Sequence, residues 1–282
     1  MAEQSNPAAA TADRAQRPER PRPRFRTVEV RRVARLGPHM VRVTVGGPEL
    51  EGFERPAPTQ HIKVILPDPD TGRPVLPDPS LPRGASVPGQ PRPLMRTYTI
   101  RRYDPSAEEL DVDFVVHGQG AGSEWAERAE TGGRIALAGP GGRPYQPALD
   151  ASWYVIAGDE SALPAIGTLL ERLRSGMKVQ VLAEVPEAGD ELAWNSQAQV
   201  QTTWLHRGSG STPIGSLACE ALLAASRPEG DGRVWLACEA GVMRRMRRHL
   251  LESWGMDPSH IVTRGYWKLG EPNYKDSDYG ED

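Results

Sequence analysis

Two rhythms of apolar and polar residues divide the chain. From Phe25 to about Ala138 the segments FRTVEVRRVARL and MVRVTVGG alternate apolar with polar positions, the period of half-buried strands. HIKVIL, RTYTIRRY and LDVDFVVHG continue the series and are rich in Val, Ile, Thr and Tyr, which suit a pleated surface. A run of such strands predicts a closed antiparallel barrel or sandwich. Residues 67–93 between them are too rich in Pro and Gly for regular structure and read as a long surface loop. After GPGGRPYQPALD the rhythm changes. WYVIAG is a short, wholly apolar strand, followed by the helical ALPAIGTLLERLRSG, then KVQVLAEV, QVQTTWL, the helical PIGSLACEALLAAS, RVWLACE, the helical GVMRRMRRHLLESWG and finally HIVTRGYW. Apolar strands alternating with helices predict a parallel sheet covered on both faces.

The expected fold class is therefore β + α/β. An N-terminal antiparallel β-barrel over 23–147 precedes a C-terminal parallel-sheet α/β nucleotide-binding domain over 148–270, with the switch between Gly142 and Ala151. Residues 1–22, dominated by Ala, Pro and Arg, read as a disordered tail, and the acidic 271–282 as a second tail that frays.

Charge and cysteine content remove several classes of function. The net charge of −3 gives no overall pull towards nucleic acid, so attraction for an anion must come from local clustering. Cys219 and Cys238 are far apart and outside any CxxC pair, which fits a reducing compartment and two small core residues. The six histidines show no metal-ligand spacing, so no protein-held metal is expected. No stretch reaches the ~20 apolar residues of a membrane helix, and the N-terminus lacks the apolar core of a secretory signal. Cytoplasmic location without membrane insertion is the expectation.

Two places carry chemistry. In Arg96-Thr97-Tyr98-Thr99 the guanidinium and the phenol share a face of one strand, where the first suits a phosphate and the second a flat ring system. Thr99 points the other way with a hydroxyl to offer. The plainer reading of this string is an ordinary cross-strand pair. In His117-Gly118-Gln119-Gly120-Ala121-Gly122-Ser123-Glu124-Trp125 a strand ends, three glycines follow, and a helix begins with Ser123 as its cap. Such a turn brings backbone N–H groups and a positive dipole end towards a phosphate, or is simply a strand-to-helix loop. No G-x-G-x-x-G follows WYVIAG, which disfavours a dehydrogenase holding NAD as its sole cofactor.

Taken together these segments resemble the siderophore-interacting proteins, FAD-dependent ferric-siderophore reductases of the ferredoxin–NADP reductase superfamily. The resemblance runs from about Phe25 to Gly270. AGDESALPAI is similar to the family's AGDETALPAI, WLACEAGVMRRMRRHL to its GEA-containing strand and arginine-rich helix, and RGYWKLGE to its closing GYWRxGE. One departure is Gly120-Ala121-Gly122-Ser123 where the family commonly has Gly-Pro-Ala-Ser.

The resemblance implies FAD as cofactor. Arg96, Tyr98 and Thr99 would hold its pyrophosphate and flavin ring, and His117, Gly118, Ala121, Gly122 and Ser123 would line the flavin and pyrophosphate loop. Asp159, Glu160, Ala162 and Leu163 would sit beside the adenosine half. Glu239, Ala240 and Gly241 would face the nucleotide donor or the flavin edge. It also implies NADH or NADPH as donor, with reduced ferredoxin left open, and a ferric siderophore as substrate. Such iron complexes are often anionic, and the matching basic residues are Lys63, Arg248 (or its neighbour Arg247) and Lys268. The arginines have a plainer reading as the solvated face of a helix whose apolar stripe is Val242, Met243, Met246 and Leu250. Two other functions stay open: reduction of another acceptor, such as a quinone, and siderophore carriage without turnover.

Overall fold

The computed structural model describes residues 24–276 except 79, 82–84 and 86–87. The tail expectation for 1–22 therefore lies outside the described residues.

Seven antiparallel strands form the first unit: β1 Phe25–Gly37, β2 Met40–Gly46, β3 His61–Leu66, β4 Leu94–Thr99, β5 Arg102–Asp104, β6 Glu109–Val115 and β7 Arg134–Gly141. Their order is β4-β3-β7-β1-β2-β6-β5. Alternation places Val28, Val30, Val43, Ile62, Val64, Val112, Phe114 and Leu137 in one core. Arg26 also points inward, its guanidinium 5.3 Å from the centroid of the Phe53 ring.

The barrel closes by a corner rather than by a ladder. The sequence reading took RTYTIRRY as one strand, but β4 ends at Thr99. There the backbone changes partners: Ile100 N–H donates to Gln60 O and Arg101 N–H to Asp111 O, both at 2.9 Å. One dipeptide thus joins the two ends of the sheet, and the following residues become β5 on β6. Strand β7, which alternation alone did not single out, lies between β1 and β3. Helix α1, Ala121–Glu127, follows β6 and sets Trp125 and Ala126 against the core.

The second unit is a five-stranded sheet, wholly parallel, in the order β10-β9-β8-β11-β12. Its strands are β8 Trp153–Gly158, β9 Lys178–Val185, β10 Gln199–His206, β11 Gly232–Glu239 and β12 Ile261–Trp267. Helices α2 (Leu163–Leu170), α3 (Ser216–Ala224) and α4 (Ala240–Glu252) are shorter than their apolar patterns suggested. Side chains of α2 pack on one face of the sheet, and those of α3 and α4 on the other. Every residue of β8 is buried, as a central parallel strand requires.

The chain leaves β8 towards β9 and β10, then returns to place β11 on its other side. The strand order therefore reverses between β8 and β11, and the crevice outside their carboxyl ends is where open α/β sheets bind ligands. The two units meet at the β1–β2 turn. Asp190 accepts from the His39 backbone N–H and faces His39 Nδ1, each at 2.8 Å. Glu187 brings a third candidate ligand atom within 4.8 Å of these. Since His39 engages both Asp190 oxygens, the group acts as a latch between the units.

Candidate functional site

The β3–β4 ribbon has two chemically distinct faces. Val64 pairs with Arg96 and Ile62 with Tyr98, so Arg96 and Tyr98 lie on the barrel-core side. Lys63 pairs with Thr97 and His61 with Thr99, on the side turned towards the second unit. The half-buried Arg96 guanidinium makes one hydrogen bond, to the Met95 carbonyl at 2.9 Å, and pairs with no carboxylate among the described residues. Tyr98 packs against Phe114 with ring centroids 4.2 Å apart and planes tilted by 47°, and burial pushes its phenol up to about 12, so it stays protonated.

Tyr98 also explains one glycine of the loop. A Cβ on Gly122 would lie 1.8 Å from the Tyr98 phenol oxygen. Gly122→Ala is expected to force the ring off Phe114 and lower stability by about 1–3 kcal/mol. Calorimetric melting of the variant checks this, and an unchanged melting temperature would mean the ring can swing clear at little cost. The helix itself starts earlier than its sequence suggested. Gly120 stands at the cap position, and the Ser123 hydroxyl instead accepts from the His117 backbone N–H at 2.9 Å. Gly118 and Gly120 take φ of 72° and 82°, a turn closed to most side chains. His117 and Gly118 are exposed on the wall of a cleft of about 710 Å³ between the units.

The opposite wall is the carboxyl edge of the parallel sheet. Asp159, fully buried, accepts from Ser161 through Oδ1, and from the Glu239 N–H at 3.1 Å and Trp267 Nε1 at 2.9 Å through Oδ2. It thereby ties together the ends of β8, β11 and β12. Burial and the neighbouring Glu160 carboxylate raise its pKa, against the hydrogen bonds from Ser161 and Trp267. Glu160 and Glu184 share Arg207: the guanidinium reaches the Glu160 oxygens at 2.7 and 2.8 Å and Glu184 Oε1 at 3.0 Å. Glu184 also accepts from the Gly215 and Ala218 N–H groups at the start of α3. Burial opposes the charge of Arg207, but its bonds to Glu160 and Glu184 outweigh this and raise its pKa. Ala162 and Leu163 are buried in the core behind these residues and present no polar side chain.

The predicted substrate cations are arranged unequally. Lys63 donates to Thr97 Oγ1 and pairs with no carboxylate among the described residues, and burial together with Lys275 lowers its pKa. Its neighbour His61 is pushed down to about 4 by burial, Lys63 and Arg264. His61 is therefore neutral at pH 7, and the stability this gives is lost as pH falls from about 6.5 towards 4. Lys268 pairs with Glu271 and lies 5.8 Å from the Tyr274 ring centroid. Arg248 is exposed on α4, and Met243, Met246 and Leu250 form the buried stripe. On the same helix Arg244 donates to Tyr274 Oη at 2.9 Å.

With this geometry in view, comparison with known proteins assigns the chain. A family model described as siderophore-interacting FAD-binding domain matches residues 29–144, and one described as siderophore-interacting protein matches residues 151–270. The chain belongs to the siderophore-interacting protein family. A ferric vibriobactin reductase of Vibrio cholerae is 34% identical over 237 residues, covering 83% of this chain and 85% of that protein. An NADPH-dependent ferric-chelate reductase of Escherichia coli is 32% identical over 250 residues, covering 86% and 93%. A siderophore utilization protein from T. fusca has a crystal structure that superposes with a TM-score of 0.79 at 35% identity, covering 90% and 96%. This siderophore-interacting protein is accordingly an oxidoreductase with an FAD-binding barrel. No helix among the described residues is long and apolar enough to cross a membrane.

Sequence reasoning missed Arg207 and Glu184, although a glutamate closing the apolar run KVQVLAEV was a signal of a buried, paired charge. For Tyr266 the sequence does not separate a core residue from a pocket wall; it lies within hydrogen-bonding reach of Thr99 and so joins β12 to β4.

Proposed function

We propose that this protein carries electrons from a nicotinamide dinucleotide, through FAD, to an anionic iron(III)–siderophore, releasing iron(II) in the cytoplasm. The observation that carries the reading is the two-faced β3–β4 ribbon. Its Arg96 and Tyr98 face supports the cofactor role, because a half-buried guanidinium without a carboxylate partner suits a pyrophosphate. The Gly118–Ser123 turn, with its backbone N–H groups and small residues, suits close approach of the same group. The residues present therefore fit FAD. FAD supplies the exchange of two-electron for one-electron chemistry.

The other face supports the substrate role. Lys63 is a half-buried ammonium beside Lys275 and the neutral His61, and two neighbouring ammonium groups favour an anionic ligand. Lys268 and the α4 arginines add charge from the second unit. Asp159 holds Trp267 and the Glu239 backbone in place, fixing the crevice wall against which a donor would dock. The cleft lined by His39, His117, Glu160 and Arg207 has room for part of a dinucleotide.

An anaerobic absorbance titration tests this. Bleaching of the flavin band near ~450 nm by NADH or NADPH, and its return on adding a ferric siderophore while iron(II) is trapped, is the expected result. Protein that arrives colourless and takes up no added FAD would sink the reading. Lys63→Ala with Lys268→Ala is expected to raise KM for anionic iron complexes about tenfold, through the loss of two nearby charges. An unaltered KM would move the acceptor to another class.

A further inference from the structure

The last described residues, 271–276, run back across the site. After β12 the chain turns at Lys268–Glu271, where the Leu269 N–H points at Glu239 Oε1 at 3.4 Å, and returns across the start of α4. Asp276 ends this path with its side chain only 6% exposed. Its Oδ2 accepts from the Gly265 backbone N–H at 2.6 Å. Its Oδ1 accepts from Tyr274 Oη at 3.1 Å and faces Arg244 Nη2 at 3.5 Å. A Cβ on Gly265 would meet Asp276 Oδ2 at 2.8 Å and Ala240 Cβ at 3.0 Å, so glycine here lets a carboxylate reach the backbone.

We propose that the pocket formed by the Gly265 N–H and Arg244 is an oxyanion subsite of the substrate-binding region, filled at rest by the Asp276 carboxylate and opened when the C-terminal segment lifts. The ligand class rests on the function proposed above: the oxygens of an anionic iron(III) complex, or the pyrophosphate of the donor. Three placements support this location. Gly265 lies on β12 immediately before Tyr266 and Trp267, which reach Thr99 and Asp159. Tyr274 lies beneath the Lys268 ammonium, and Lys275 is near enough to Lys63 to lower its pKa. Residues 274–276 therefore lie beside two of the cations assigned to the substrate, Lys63 of the barrel and Lys268 just after β12, and beside Arg244 of α4.

The hold is one a ligand can replace. Among the described residues Glu271, Pro272, Asn273 and Lys275 are exposed, Tyr274 and Asp276 hold the segment to Arg244 and Gly265, and the exposed Lys268–Glu271 pair contributes little. A site occupied by its own chain binds ligand with an affinity reduced by the fraction of molecules that are open. Asp276→Asn removes the negative charge that Arg244 and the Gly265 N–H favour, and truncation after Glu271 removes the whole plug.

Calorimetric titration of the purified full-length protein, of Asp276→Asn, of the truncated chain and of Arg244→Ala tests this without turnover. The probes are gallium(III)–citrate, which cannot be reduced as iron can, and ADP-ribose. Asp276→Asn and the truncated chain are expected to bind one probe at least about fivefold more tightly than the wild type, and Arg244→Ala no more tightly than the wild type. Tightening confined to gallium–citrate assigns the subsite to the iron complex, and tightening confined to ADP-ribose assigns it to the donor. Unchanged or weaker binding of both probes by variants that melt like the wild type overturns the proposal, as does tightening by Arg244→Ala. Absence of binding to every variant overturns it too, and iron(II) release by the wild type would then still uphold the proposed reductase.

Discussion

Arg96→Ala is expected to yield a folded protein that no longer retains flavin through gel filtration. The side chain contributes little to the fold, since its one hydrogen bond goes to the adjacent Met95 carbonyl and it sits at the half-exposed end of the barrel core. In the proposed role it makes two parallel charge-assisted bonds to a phosphate, each worth about 1.5–3 kcal/mol. Loss of about 3 kcal/mol weakens binding roughly 10²-fold. Arg96→Lys keeps the charge without the planar fork and is expected to fall between the two. The measurements are the ratio of flavin to protein absorbance after desalting and a fluorescence titration with added FAD. A variant that stays as yellow as the wild type would remove Arg96 from the cofactor site, and would shift attention to the Gly118–Ser123 turn.

The sequence carried the architecture well because each unit obeys a different burial rule. Strands half-buried in a barrel alternate, as the first half of β1 does, and strands covered on both faces, such as β8, read as unbroken apolar runs. The corner at Ile100–Arg101 was not legible, because RTYTIRRY keeps strand-like composition through the point where its partners change. Helix lengths were overread for a similar reason: apolar patterning extends into the turns that flank α2 and α3.

Local chemistry singled out Arg96, Tyr98 and Gly122 in the sequence, and the structure places Tyr98 and Gly122 in contact. What sequence could not supply were pairings between distant segments. Arg207 meets Glu160 across 47 residues, Trp267 meets Asp159 across 108, and Arg244 meets Asp276 across 32. Such contacts follow from where the topology sets the carboxyl ends of the parallel strands, and no local spacing announces them. The arginine choice shows the consequence. The sequence pointed to Arg248 or Arg247 on α4, whereas the returning C-terminal segment meets Arg244, one turn earlier than Arg248.

Arg207→Ala is expected to give the largest loss of stability among these substitutions. The guanidinium is 8% exposed and serves Glu184, whose side chain is wholly buried, and Glu160, which is 11% exposed. Removing it leaves Glu160 without its hydrogen-bond partner and leaves Glu184 facing only the two N–H groups of Gly215 and Ala218. Breaking a buried pair by deleting one member costs about 3–5 kcal/mol, because the remaining charge stays out of water. For a chain of this size that corresponds to a fall in melting temperature on the order of 10 °C.

The deficit has a direction in pH. In the variant, protonating either carboxylate relieves a buried charge, so the folded state takes up protons that the unfolded state does not, and the gap to the wild type narrows as pH falls. Glu160→Gln placed on Arg207→Ala is expected to recover part of the loss at pH 7 for the same reason. Melting curves of the three proteins between pH 5 and pH 8 decide it. A melting temperature within about 2 °C of the wild type at pH 7 would mean that water enters the 710 Å³ cleft and solvates both carboxylates. In that case Arg207 would be released from its structural duty and become available to a ligand in the cleft.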